Sequence, residues 1–221
     1  MPICCSSRWT KHTAIHDCMS ALERFLHADG IDLPVLIKAA LTHVQFETIH
    51  PFLDGNGRIG RLLIVLFLQQ ADVLHEPLLY LSLYFKQHRQ EYYRLLDIVR
   101  TDGDWEMWIS FFLQGVAETC EGAVDSARRI ESIFKEDRRH IQTQRRRSGS
   151  ALQVHEAVKT RPIITLREIV RRSKISFPAA AAGMAVLIEL GICRELTGKK
   201  RNRIFAYERY IELLKAGTDP Y

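Results

Sequence analysis

The twelve residues from His50 to Arg61, HPFLDGNGRIGR, restrict what this chain can fold into more than any other stretch. Before Ile49 the apolar positions Leu36, Ala39, Ala40, Val44 and Ile49 recur at helical spacing, and after Arg58 the series Ile59, Leu62, Leu63, Leu66 and Phe67 does the same. The segment therefore reads as a glycine-rich loop that leaves one helix and opens another.

Its side chains share a chemistry. Gly55 and Gly57 can take positive φ and leave backbone N–H groups unshielded by any Cβ, so successive amides can face an anion at the helix start, where the helix dipole adds its attraction. Arg58 and Arg61, three apart, can turn both guanidinium forks to one ligand and hold phosphate oxygens bidentately. Asp54 is a hard oxygen ligand suited to Mg²⁺ bridging phosphates, and Asn56 can offer its amide to the same oxygens. Histidine is the side chain whose unperturbed pKa lies near neutrality, so His50 suits a general base. Phe52, between polar neighbours, is expected to anchor the loop in the core. Each residue alone has an ordinary reading as turn, cap or solvated face; the combination points to a metal-bound polyphosphate beside a base.

At these positions the chain resembles the Fic family, whose signature His-x-Phe-x-(Asp/Glu)-Gly-Asn-Gly-Arg-x-x-Arg is matched at every specified residue. The resemblance implies a nucleotidyltransferase that moves AMP from ATP to a Ser, Thr or Tyr hydroxyl of a target protein. It implies His50 as the base, Asp54 holding Mg²⁺ on the α and β phosphates, Gly55, Asn56 and Gly57 as the anion hole, Arg58 and Arg61 on the β and γ phosphates, and Phe52 as part of the nucleotide site. The related phosphotransferring Doc branch carries Lys where this chain has Gly57, which favours nucleotidyl transfer here. Two family features are not found. MPICCSSRWTKHT does not resemble the upstream β-hairpin flap, and Ala117–Gly122, nearest to the inhibitory (Ser/Thr)-x-x-x-Glu-(Gly/Asn) helix, has Ala in place of the hydroxyl residue. Two expectations correspond, a shortened chain with target docking impaired or regulation by another protein or by homo-oligomerisation, together with autolabelling.

A competing constellation precedes the loop. His43, Glu47 and His50 fall at i, i+4 and i+7 and could share a zinc ion, although that would leave the arginines unexplained; the reading adopted has His43 packed or solvated and Glu47 at the helix surface.

Composition bounds the remainder. The 221 residues, 47% hydrophobic and 26% charged, suffice for one sizeable core and a smaller one. The longest apolar run, Leu62–Leu68, is far below a membrane span, and the first residues lack an apolar signal core. Five cysteines without paired spacing fit a reducing compartment, so a cytoplasmic location is expected. Charge is uneven: residues 1–143 carry 15 Lys or Arg against 19 Asp or Glu, net −4, and residues 144–221 carry 16 against 7, net +9.

A long charged helical stretch, Glu121–His140, ends in QTQRRRSGS, which reads as a linker near 144–150. Before it the chain reads as all helix: Ala14–His27, Leu33–His50, Arg58–Ala71, Leu81–Thr101 and Trp105–Thr119, punctuated at Asp29-Gly30, Asp54–Gly57, Glu76-Pro77 and Asp102-Gly103. Tyr84, Phe85, Tyr92, Tyr93, Trp105, Trp108, Phe111 and Phe112 are expected mostly in the core, with one of Tyr92 and Tyr93 facing the nucleotide. After the linker come a helix from Ala151, a short helix and turn, a helix opened by Pro178, and two short strands joined by a basic tip, Gly198–Arg203. That order resembles a winged helix-turn-helix. The expected fold class is an all-α Fic core, 1–143, followed by a small α+β winged helix-turn-helix domain, 144–221.

DNA could meet the tip cations Lys199, Lys200, Arg201 and Arg203, but Ala179–Ala182 offer no hydrogen-bonding side chain to read base edges. Two function classes follow: a protein adenylyltransferase, or a DNA-binding transcriptional regulator or toxin-system component whose Fic site senses nucleotide without turnover.

Overall fold

The computed structural model describes residues 12–28, 33–76, 79–199 and 201–215. Asp29-Gly30, Pro77, Lys200, Cys4 and Cys5 lie outside them. The described chain runs α1 (His12–His27), α2 (Val35–Ile49), α3 (Asn56–Gln70), α4 (Leu81–Gln87), α5 (Arg89–Thr101), α6 (Trp105–Gln142), a 3₁₀ turn (Arg145–Arg147), α7 (Ser148–Thr160), β1 (Ile163–Thr165), α8 (Leu166–Ser173), α9 (Phe177–Glu189), β2 (Arg194–Glu195), β3 (Ile204–Ala206) and α10 (Glu208–Lys215). An all-α region is thus followed by a small α+β one.

The chain divides into two compact units, residues 1–123 and 124–221, and the division falls within α6. The stretch 144–150, expected as a linker, is the 3₁₀ turn and the start of α7. The physical reason lies in α6, whose Ile133, Phe134 and Ile141 pack into the core of the second unit, so the charged helix is a structural member of that unit.

In the first unit α2 lies against both α3 and α5. Ala39, Ala40 and Val44 of α2 are buried with Ile64, Leu68, Tyr84, Phe85, Tyr92, Leu95, Leu96, Trp108 and Phe112, and Trp108 Nε1 donates to the Ala40 carbonyl at 2.9 Å. Small residues on α2 let the aromatic wall close on its backbone. The helix expected over Leu81–Thr101 breaks at His88 into α4 and α5. Tyr93 is 54% exposed whereas Tyr92 is buried.

Helix α3 forms where its periodicity predicts, but it turns a different face inward. Gly60, Ile64 and Leu68 are buried, while Ile59, Leu62 and Leu66 are 39%, 54% and 52% exposed. A helix so rich in Leu and Ile satisfies the same spacing on two faces, and the small Gly60 decides which one can approach α2.

The second unit packs α7, α8 and α9 with an antiparallel sheet of order β1-β3-β2, in register Ile164↔Phe205 and Glu195↔Phe205. Gly183 of α9 permits the approach of α7, since a Cβ there would stand 2.7 Å from the Ser150 carbonyl oxygen. Buried Asp137 of α6 accepts from Tyr207 and, at 3.1 Å, from Arg209.

Candidate active site

Helix α2 ends on His50, whose φ of 51° and ψ of 57° place it in the left-handed region while its N–H still donates to the Phe46 carbonyl at 3.0 Å. For a residue with a Cβ this backbone costs about 1 kcal/mol or more, and it swings the chain out of the helix. The preceding turn is held by Arg100 of α5, which donates to the Glu47 carbonyl at 2.9 Å and to Thr48 Oγ1 at 3.3 Å. A cation at a helix C-terminus also meets the negative end of the dipole. His50 is exposed at the tip of this braced helix end.

The loop is folded by Asn56. Its Nδ2 donates to the Phe52 carbonyl at 2.6 Å and its Oδ1 accepts from the Phe52 N–H at 2.9 Å, and the side chain is buried. The amide expected to face a ligand thus uses its oxygen and one N–H to close the loop. Phe52 is correspondingly held by its backbone; its ring is 48% exposed, tilted against Phe46 at 6.4 Å, rather than anchored in the core.

The two glycines serve different ends. Gly55 has φ of 86° and makes the turn, whereas Gly57, in the first turn of α3, is not among the described glycines of positive φ. What Gly57 supplies is space, since a Cβ there would come 3.1 Å from Arg61 Nη1. Helix α3 has no side-chain cap at its N-terminus. The Gly55 N–H donates to Asp54 Oδ1 at 2.6 Å, and Arg58 Nη2 donates to Asp54 Oδ2 at 3.1 Å. Asp54 thus stands as an internal anion at the mouth of the turn, on a pair exposed enough (92% and 74%) to be exchanged at little cost.

Behind the loop, His43 is fully buried between Phe85 and Trp108, at 5.6 and 5.8 Å, with Nε2 2.9 Å from Tyr92 Oη. Burial lowers its pKa to about 4, so the ring is neutral at neutral pH. Glu47, expected at the helix surface, is buried instead, because Gly60 of α3 leaves room for its carboxyl. Among the described residues no group of three or more His, Cys, Asp or Glu could hold a metal ion, so His43, Glu47 and His50 do not form the alternative zinc site. His43 is committed to Tyr92, and His50 is turned out of the helix.

Comparison with known proteins fits this geometry. Residues 6–68 match the model of the Fic/DOC family. That segment is similar to the Fic/DOC family. The protein adenylyltransferases Fic of Drosophila erecta and Culex quinquefasciatus are each 34% identical to it over 108 residues, which is 48% of this chain and 20% and 19% of theirs. The chain thus spans about a fifth of the length of these curated relatives. A crystal structure of a Fic family protein from Desulfovibrio desulfuricans aligns over 92% of this chain and 59% of its own, with a TM-score of 0.51 and 17% identity, a likeness of fold. The matched Fic segment includes α2, the loop and most of α3, the elements that carry His50, Asp54, Arg58 and Arg61.

Gly60 and Arg100 were missed in the sequence, and Glu47 was placed at the helix surface. A glycine one turn after Gly57, and a carboxylate one turn before His50, were the available signals.

Proposed function

We propose that this chain transfers AMP from Mg-ATP to a hydroxyl side chain of a target protein. The observation that carries the reading is the uncapped start of α3, held by the Asn56–Phe52 clamp next to the exposed imidazole of His50. In the proposed step His50 takes the proton of the incoming hydroxyl, the oxygen bonds the α phosphorus, and the bond to the β phosphate breaks to release pyrophosphate. Attack at phosphorus asks for positioning and charge neutralisation more than covalent help. The first-turn N–H groups at Gly55, Asn56 and Gly57 would cradle the phosphates, joined by Arg58 once it exchanges Asp54 for phosphate, and by Arg61. Phe52 would border the nucleotide through its exposed ring.

The donor set fits Mg²⁺, which keeps waters and usually takes one or two carboxylates plus substrate phosphates; Asp54 is such a carboxylate, exposed at the loop tip. When bound, the ion would neutralise phosphate charge. ATP labelled at the α phosphate tests the reading: protein-bound label that disappears in His50→Ala supports transfer. Label from the γ position alone supports phosphorylation, and Mg-ATP binding without any label supports a sensor.

For the second unit we infer a winged helix-turn-helix that contacts protein. Support comes from the order α7-β1-α8-α9-β2-β3 and from the exposed Phe177, Ala182 and Ile188 of α9, an apolar surface with no hydrogen-bonding side chain to read base edges. Part of its positive charge is paired internally, three carboxylates against five arginines: Arg161, Arg171 and Arg172 share Glu168, Arg147 meets Glu189 and Arg203 meets Glu195. Duplex binding that survives a rise from 50 to 200 mM salt would overturn this reading.

A further inference from the structure

The first turn of α3 rests on a carboxyl group that the transfer step leaves unused. Glu47 sits three residues before His50, is only 6% exposed, and its Oε1 has no hydrogen-bond partner. An unpaired buried acceptor is costly, so its retention calls for a donor that arrives later. Two glycines make its seat: a Cβ on Gly60 would stand 2.6 Å from Oε1, and a Cβ on Gly57 would stand 3.8 Å from it. That same Gly57 Cβ would be 3.1 Å from Arg61 Nη1. The Glu47 carboxyl and the Arg61 guanidinium therefore border one small space beneath Gly57.

Resting on the transfer reading above, we propose that Glu47 is a positioning residue for Arg61, its Oε1 receiving one edge of the guanidinium while the other edge meets the phosphates. The guanidinium has five N–H donors in a fixed fork, so a bidentate phosphate contact leaves donors for a second acceptor. Fixing the fork from behind removes rotamer freedom that nucleotide binding would otherwise have to remove. Glu47 touches no reacting atom. Burial pushes its pKa up, while the electrostatic influence of His50, Arg61 and Arg100 pulls the other way.

Calorimetry with Mg-ATP on the full chain, in a cycle of wild type, Glu47→Gln, Arg61→Ala and the double variant, tests this. Glu47→Gln keeps the size and loses the charge; it should weaken Mg-ATP about tenfold in the wild-type background and have no further effect with Arg61→Ala. KM for ATP should rise more than kcat falls, and Glu47→Asp, which keeps the charge, should recover part of the affinity. Equal losses in both Arg61 backgrounds, or no loss in either, would overturn the inference by leaving Glu47 a packing residue only. Wild type that binds Mg-ATP while Glu47→Gln binds it equally defeats this inference alone. Wild type that gives no heat with Mg-ATP defeats the transfer reading and this inference with it. Thermal midpoints of each variant identify any loss that comes from unfolding, and Glu47→Asp then carries the comparison.

Discussion

Helices α3 and α9 begin in opposite ways. Ser176 closes the start of α9 by accepting the Ala179 N–H at 3.3 Å, and Thr165 does the same for α8 toward the Glu168 N–H, also at 3.3 Å. Helix α3 starts from Gly55 with no side-chain cap, and Asp54 accepts from the Gly55 N–H and from Arg58. In α8 and α9 a side chain thus takes one orphan donor, whereas the start of α3 is left open, as are the starts of α2, α4, α5 and α7. What sets the start of α3 apart from the other open starts is that Asn56 folds the loop before it and that Arg58 and Arg61 stand on its first turns.

The largest expected effect lies at the open start. His50→Ala should lower α-label transfer by about 10²- to 10⁴-fold while the heat of Mg-ATP binding stays near wild type; unchanged label would sever the base from the turn.

Acid should separate the two units next. Burial holds His43 at about 4 in the folded chain against 6.5 unfolded, so below 6.5 the unfolded state binds more protons; stability complete above that pH is lost as pH falls toward 4, by up to about 1.4 kcal/mol per unit. His155 of the second unit is also lowered by burial, with Asp137 pulling it back up, so its loss has the same sign and should be smaller. The raised Glu47 opposes this trend, because its protonated form is the easier one to bury. Unfolding followed from pH 7 to 4 should show a shallower loss in His43→Gln, and an unchanged slope would refute the assignment.

Close approach provides a third contrast. Gly60→Ala forces a Cβ to 2.6 Å from Glu47 Oε1 and 3.2 Å from the His43 ring, and Gly183→Ala forces one to 2.7 Å from a backbone oxygen. Each should cost about 1–3 kcal/mol by denaturant titration, but only the first should also disturb Mg-ATP binding.

The smallest effect belongs to the closed start. Ser176→Ala should cost about 1 kcal/mol of stability and leave the Mg-ATP heat untouched; an altered heat would mean the two helix starts are not independent.

Much of the first unit was legible because periodicity and punctuation agree there: α2 and α3 fall within two residues of their expected limits, and the turn between them is where HPFLDGNGR put it. What stayed hidden depends on tertiary neighbours. Leu62 and Ile64 are equally apolar, and only the fit of Gly60 against Glu47 tells which side of α3 is inside. Asn56 carries the same amide whether it faces a ligand or its own loop, so only the positions of the Phe52 N–H and carbonyl reveal its use. The charged face of α6 hid the apolar stripe of Ile133, Phe134 and Ile141, and strand β1, three residues long, is too short for alternation to mark.

The left-handed backbone of His50 has a consequence for anyone improving this protein. Glycine or asparagine would sit there more comfortably, so selection for heat tolerance without a demand for turnover should discard the imidazole early. The most active and the most durable versions of this chain would then part company at one codon.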